Sequence, residues 1–274
     1  MEERSGGERN LRKEEEGDYK MAEARYLYCI AEGNKKISFG NIGLDNNEVY
    51  TIPYEDLCAV IHKCSTEPYK SEDKEKVKSW IIAHEKVIEN AWERFDTIIP
   101  LGFDTIIIGG EEKEPEENMK SWLKDDYENL KNKLSKLEGK AEFGIQIFWD
   151  MKIISERVID SSKEIKKLSN EIKTKSKGLA YMYKQKLENI LKKEIEKEAD
   201  RYFKDFYEQI KSCVDEIKVD KTKKGEEKKP MLMNLSCLLA KEKSKILGGE
   251  LDKIDQMPEF SVRFTGPWPP YSFV

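Results

Sequence analysis

An α+β fold in two domains, the second a modified ferredoxin-like βαββαβ sandwich with long helices, is what the sequence predicts, on three observations. Short aromatic and β-branched runs dominate the first hundred residues, interrupted by one stretch with helical spacing. Long Lys/Glu-rich stretches with an apolar stripe fill the middle of the second half. From Ala141 onward the elements follow the order strand, helix, strand, strand, helix, strand, the split βαβ pattern. The boundaries divide the 274 residues into a leader (1–24), an N-terminal α+β domain (25–139), a ferredoxin-like domain (140–264) and a Pro/aromatic tail (265–274).

The leader is nearly all charge and Gly, with too little apolar surface to order itself. YLYCIA (26–31) reads as the first strand. Asp45-Asn46-Asn47 supplies turn chemistry before a strand over Val49 to Ile52, and Leu57 to Cys64 forms another. From Ser71 the period changes: Val77, Trp80, Ile81, His84, Val87, Ile88, Ala91, Trp92 and Phe95 share one helical face, with acidic residues in the first turn. DTIIPLGFDTIII (96–108) gives two short runs divided by Pro100, which fits an edge or bent strand. The acidic linker GGEEKEPEEN leads into a second amphipathic helix from Met119 to Leu137, stopped by Gly139.

AEFGIQIFW (141–149) opens the second domain as a strand. Residues 151–212 read as helical throughout, with a break or kink expected at Gly178, since a continuous helix of that length would outreach a small domain. Strands follow at Val214 to Val219 and at MLMNLSCLLA (231–240), then a short helix over KEKSKILGGELDKIDQM, and a last strand PEFSVRF (258–264). The tail RFTGPWPPYSFV exits that strand. Gly266 allows a turn, and Pro267, Pro269 and Pro270 fix an extended path at small entropic cost. Phe264, Trp268, Tyr271 and Phe273 are therefore expected to anchor the tail across the seam between the domains, as a structural clamp rather than a partner-binding peptide.

Composition narrows the function. Hydrophobic and charged residues each make up 38%, and the net charge is −5. Acidic and basic residues interleave, which argues against nucleic acid as a partner, because phosphate neutralisation needs a concentrated cationic excess. No apolar run approaches a membrane span, and the N-terminus does not resemble a signal peptide, so a soluble, cytoplasmic protein without membrane insertion is expected. The five cysteines form no C-x-x-C pair. Cys58 and Cys64, if on one strand, stand about 20 Å apart at roughly 3.3 Å per residue, so reduced thiols are expected.

Candidates for chemistry fail one by one. His84 begins H-E-x-x-H, but Ile88 takes the place of the second histidine, leaving a packed side chain on the apolar stripe. His62 lies near Cys58 and Cys64 in sequence, without the spatial pairing that a nucleophile requires. Gly109-Gly110 ends a strand-like run, yet the glutamates that follow would repel phosphate. The stretch from Glu164 to Lys197 reads as one packed stripe with i,i+4 charge pairs, a coiled-coil surface being the alternative. No catalytic residue, metal ligand or cofactor site is nominated, and an interaction protein is expected rather than an enzyme.

Six stretches, in order, carry a resemblance: YLYCIA, IGLDNNEVYTIPYEDLCAVI, AHEKVIENAW, IIPLGFDTI, GKAEFGIQIFWD and TGPWPPYSFV. Together the chain resembles the GvpL/GvpF family of gas vesicle proteins from about Tyr26 to Val274, the closing segment most of all. It departs from the family at Pro100 to Thr105, where the familiar P-L-R-F-G-T reads P-L-G-F-D-T. The resemblance implies an accessory protein of gas vesicle assembly, associated with gas vesicles. It would bind the hydrophobic shell protein GvpA and other accessory Gvp proteins, with no cofactor and no catalysis. Its alternatives are a minor structural component of the vesicle wall, or a small-molecule-binding ferredoxin-like enzyme or sensor.

Overall fold

A computed structural model describes residues 23–110, 113–223 and 229–274. The leader, apart from Glu23 and Ala24, lies outside the described residues. Two antiparallel sheets organise the chain, each with its own helices.

The first sheet begins with β1 (Glu23–Glu32), whose residues 24–31 are all buried. Burial on both faces explains why this strand lacks polar alternation. Tyr26, Tyr28, Cys29 and Ala31 pack on one side, and Leu27 and Ile30 on the other. Two adjacent residues share a side because the pairing with β4 slips between Leu27 and Cys29, leaving Tyr28 as the extra residue of a bulge. Next come β2 (Ser38–Gly40), β3 (Val49–Tyr54) and β4 (Leu57–Ser65), then α1 (Lys74–Phe95), β5 (Ile98–Pro100) and β6 (Ile106–Ile108). The strand order is β2-β3-β4-β1-β5, with β6 also paired to β1. β5 takes Cys29 to Ala31 and β6 takes Ala24 to Tyr26, so the two apolar runs around Pro100 share a single edge of the central strand.

The side chain of Asp73 accepts from the backbone N–H groups of Glu75 and Lys76 and starts α1, which covers one face through Trp80, His84, Val87, Ile88 and Ala91. α2 (Pro115–Asp125) and α3 (Tyr127–Leu137) cover the other. The sequence predicted a single helix here. It divides at Asp126, whose backbone departs from helical values at φ −105° and ψ 11°.

The second sheet consists of β7 (Lys140–Trp149), β8 (Glu216–Val219), β9 (Met231–Ala240) and β10 (Phe260–Trp268), in the order β10-β7-β9-β8. Alternation in β7 is strict: Ala141, Phe143, Ile145, Ile147 and Trp149 are buried and their neighbours are not. Those side chains pack with Met233, Leu235, Cys237 and Leu239 of β9 beneath α4 (Met151–Ser161), the end of α6 (Lys177–Lys211) and α7 (Ser244–Asp255). The continuous helix expected over 151–212 is three helices, with α5 (Lys163–Ile172) between α4 and α6. The breaks fall at Ser162, whose side chain caps α5, and at residues 173–176. Gly178 sits inside the first turn of α6 rather than at a break.

At 35 residues, α6 is about 52 Å long. Its buried side chains, Tyr202, Phe206 and Ile210, all lie in the last third. Leu187, Ile190, Leu191 and Ile195 are partly buried against the same core, and toward its start, where Leu179, Tyr181 and Met182 are exposed, α6 runs beside α5 as a two-helix arm.

Candidate functional site

The end of the chain reaches the junction between the two sheets, where Phe273 enters the N-terminal core. The last strand runs further than expected. β10 pairs with β7 from Phe260–Trp149 to Thr265–Gly144, slips, and resumes at Trp268–Glu142, so TGPW continues the strand instead of leaving it. Two glycines make the slip possible. A Cβ on Gly144 would stand 2.7 Å from the Thr265 hydroxyl, and one on Gly266 would stand 2.8 Å from the Glu142 carbonyl, with φ at +117° besides.

Beyond the strand, Pro269 and Pro270 are buried and the backbone coils into a short turn over Tyr271–Phe273. Glu142, on the face of β7 away from the second core, receives this turn: its two carboxylate oxygens accept from the Ser272 N–H at 2.7 Å and the Ser272 hydroxyl at 2.6 Å. Lys218 of β8 donates to the Ser272 carbonyl and lies over the Phe273 ring, 5.3 Å from its centroid. Phe273 itself is buried with Leu27, Ile30, Leu130 and Leu134 of the N-terminal half, and Leu238 of β9 enters the same cluster. Phe264 stacks on Phe143, centroids 5.5 Å apart, and stays 38% exposed on the outer strand. Trp268 and Tyr271 are 47% and 39% exposed. Of the four aromatics, one enters a core and three stay at the surface.

Between α1, β7 and the turn lies a notch of about 330 Å³, lined by Glu85, Glu89, Glu142, Trp268, Pro269 and Tyr271. Burial of the Tyr271 hydroxyl, with Glu85 beside it, pushes its phenol above the ordinary range. Three carboxylates and two aromatic rings suit a cationic side chain far better than an anion. Among the partners here, Ser272, Glu142, Lys218 and Leu238 gave no signal in the sequence beyond the alternation that turns Glu142 away from the second core.

Both histidines lie elsewhere, buried beneath α1. The Leu44 N–H donates to the Tyr28 hydroxyl at 3.2 Å, so Tyr28 donates onward to Nδ1 of His62 at 2.8 Å, and His62 Nε2 meets the Tyr69 hydroxyl at 2.9 Å. In parallel, the Asp104 N–H donates to the Tyr26 hydroxyl at 2.9 Å. Tyr26 then donates to Nδ1 of His84 at 3.0 Å, and His84 Nε2 donates to the Leu101 carbonyl at 3.2 Å. Each imidazole is therefore neutral with its proton on Nε2. Burial lowers both pKa values to about 4 and raises those of Tyr26 and Tyr28 well above the usual phenol range. Such groups neither attack nor shuttle protons near neutrality; they tie β1, β4, α1 and the 97–105 segment together. Cys58 and Cys64 share this half, and burial pushes their thiols up to about 12 and about 11. Among the described residues no group of three His, Cys, Asp or Glu side chains is placed to hold a metal ion, and no helix is long and apolar enough to cross a membrane.

With this geometry in place, comparison with known proteins is decisive. Residues 24–274 match the family described as gas vesicle synthesis protein GvpL/GvpF. The chain belongs to the GvpL/GvpF family. Gas vesicle protein L1 of Halobacterium salinarum is 28% identical over 92% of this chain and 91% of its own length. Gas vesicle protein F of Nostoc sp. is 22% identical over 92% and 98%. The crystal structure of GvpF from Anabaena sp. superposes with a TM-score of 0.73 at 22% identity, covering 92% of this chain and 98% of that one. GvpF from Microcystis aeruginosa gives 0.65 at 21% identity, over 91% and 98%. Those structures share the mixed architecture with antiparallel sheets, and membership of the family assigns the chain a role in gas vesicle formation.

Proposed function

We propose that this protein is a non-catalytic accessory factor of gas vesicle assembly that binds the hydrophobic shell protein GvpA and other Gvp proteins in the cytoplasm. A shell subunit that will face gas exposes apolar surface before it is incorporated, and a carrier that covers that surface keeps it from aggregating. The observation that carries the reading is β10. It is one of the two edge strands of its sheet, and it carries Phe264 and Trp268 half-exposed. The Val262 N–H is taken by Asp255, so the edge beyond it, from Phe264 onward, is where an extended segment could add a strand.

We also read residues 25–139 and 140–264 as two domains, the second ferredoxin-like, with 265–274 as a clamp across their seam. The all-antiparallel order β10-β7-β9-β8 supports the ferredoxin-like reading, with α4 to α6 between the first two strands and α7 between the last two. Phe273 and Leu238 in the N-terminal core support the clamp.

Co-expression with GvpA and affinity capture test the proposal. The full chain should retain GvpA at micromolar concentration, and Phe264→Asp with Trp268→Ala should lose it while circular dichroism shows the fold retained. Absence of retention by the unaltered chain would overturn the reading.

A further inference from the structure

The arm formed by α5 and the first two-thirds of α6 has a charge unlike the rest of the molecule. Between Lys163 and Lys193 stand ten lysines and three glutamates, a surplus of seven positive charges in a chain whose net charge is −5. Residues 24–139 hold 23 acidic and 16 basic side chains, a surplus of seven negative charges. Within one molecule these regions stay apart: the main packing partners of α6 are α4, α5, α7 and β9. Tyr181 and Met182, 63% and 66% exposed, project from the arm beside a shallow groove that includes Lys186 and Lys193.

We infer that the arm of one copy docks on a second copy, its lysines entering the notch formed by Glu85, Glu89, Glu142, Trp268 and Tyr271. Charge complementarity selects this occupant, since the chain itself supplies a cationic helix pair and a notch lined by three carboxylates. The notch matches a lysine in detail. Its carboxylates satisfy the ammonium, the half-exposed Trp268 and Tyr271 rings offer cation–π faces, and its volume of about 330 Å³ admits a side chain. Tyr181 and Met182 add apolar area, which a purely ionic contact in water would lack. Because the two surfaces differ, the contact is head-to-tail and leaves a free arm at one end and a free notch at the other, so association continues into rings or chains. The notch shares Trp268 with the β10 edge, but the variants below leave Trp268 and Phe264 unaltered, so the inference is tested independently of GvpA binding.

Sedimentation velocity on the full chain tests it, at rising protein concentration in low and in high salt. Concentration-dependent assembly is expected at low salt, weakened roughly tenfold or more at high salt. Lys184→Glu/Lys186→Glu/Lys193→Glu should abolish assembly, and so should Glu85→Lys/Glu89→Lys. All five positions are exposed, and circular dichroism verifies the fold of each variant. Mixing the two variants should restore assembly, because the acidic arm of one then meets the basic notch of the other. A chain that stays monomeric at low salt, an assembly indifferent to salt and to both variants, or a mixture that fails to reassemble would each overturn the inference.

Discussion

His62 and His84 show how a titratable side chain becomes a structural one. Each accepts a proton-bearing tyrosine at Nδ1 and donates from Nε2, so a second proton would face an existing donor and break the chain of bonds. An unfolded chain takes up those protons near pH 6.5, whereas the folded one resists until about 4. Unfolding therefore binds protons in that window, and stability falls as pH drops from 6.5 toward 4, on the order of 3 kcal/mol per histidine at the acid end. Urea unfolding at stepped pH checks this; a flat profile between about pH 6.5 and 5 would contradict neutral buried imidazoles. Tyr28→Phe removes the donor to His62 and leaves the Leu44 N–H without its acceptor, at a cost of about 1–3 kcal/mol near neutrality. A second buried arrangement joins β1 to the start of α2. Burial works against the charge of Glu116, yet hydrogen bonds from Tyr50 and Arg25 outweigh it and hold the carboxyl below its ordinary value.

At the scale of the element, the end of the chain behaves as the tenth strand plus a latch. Phe273→Ala empties a site inside the N-terminal core and should cost about 3–5 kcal/mol, read from urea unfolding. Gly266→Ala meets both a clash at the Glu142 carbonyl and a backbone angle foreign to L-residues, and should lower the melting temperature while Gly102→Ala, with open space around it, does not. Removing residues 266–274 should destabilise the protein as well; unchanged melting with lost GvpA binding would make the segment a ligand surface instead. Strands and helices with a clear period were legible in the sequence, from YLYCIA to MLMNLSCLLA. The extension of β10 was not, because proline and glycine read as an exit, and only the pairing of Trp268 with Glu142 re-enters the ladder. Nor was the break between α4 and α5: Ser162 caps a helix inside a stretch whose composition is helical throughout. The notch was equally hidden, Glu142 lying over fifty residues from Glu85 and Glu89 in sequence. The arm's charge stood in plain sight and was lost by averaging over the whole chain.

For the whole molecule, the two sheets differ in how they are insulated. The first is covered by helices on both faces, while the second has one face beneath α4, α6 and α7 and the other partly polar, where Gln146 and Asn234 meet at 3.3 Å. The fully buried side chains of α6 are Tyr202, Phe206 and Ile210, while the apolar ones from Leu187 to Ala199 are only partly buried against the core, so local opening should graduate along it. Hydrogen exchange should find residues 177–198 of α6 exchanging well before residues 202–211; uniform protection would mean that the arm is packed against something. The chain enters the arm after β7, turns at residues 173–176 and returns to β8, going out and coming back. Reach is thus uncoupled from the sheet: matched turns added to or taken from α5 and α6 would lengthen or shorten the arm in steps of about 5.4 Å and leave every strand in register. The fold contains an adjustable spacer, whose span can change without touching the ladder that holds it.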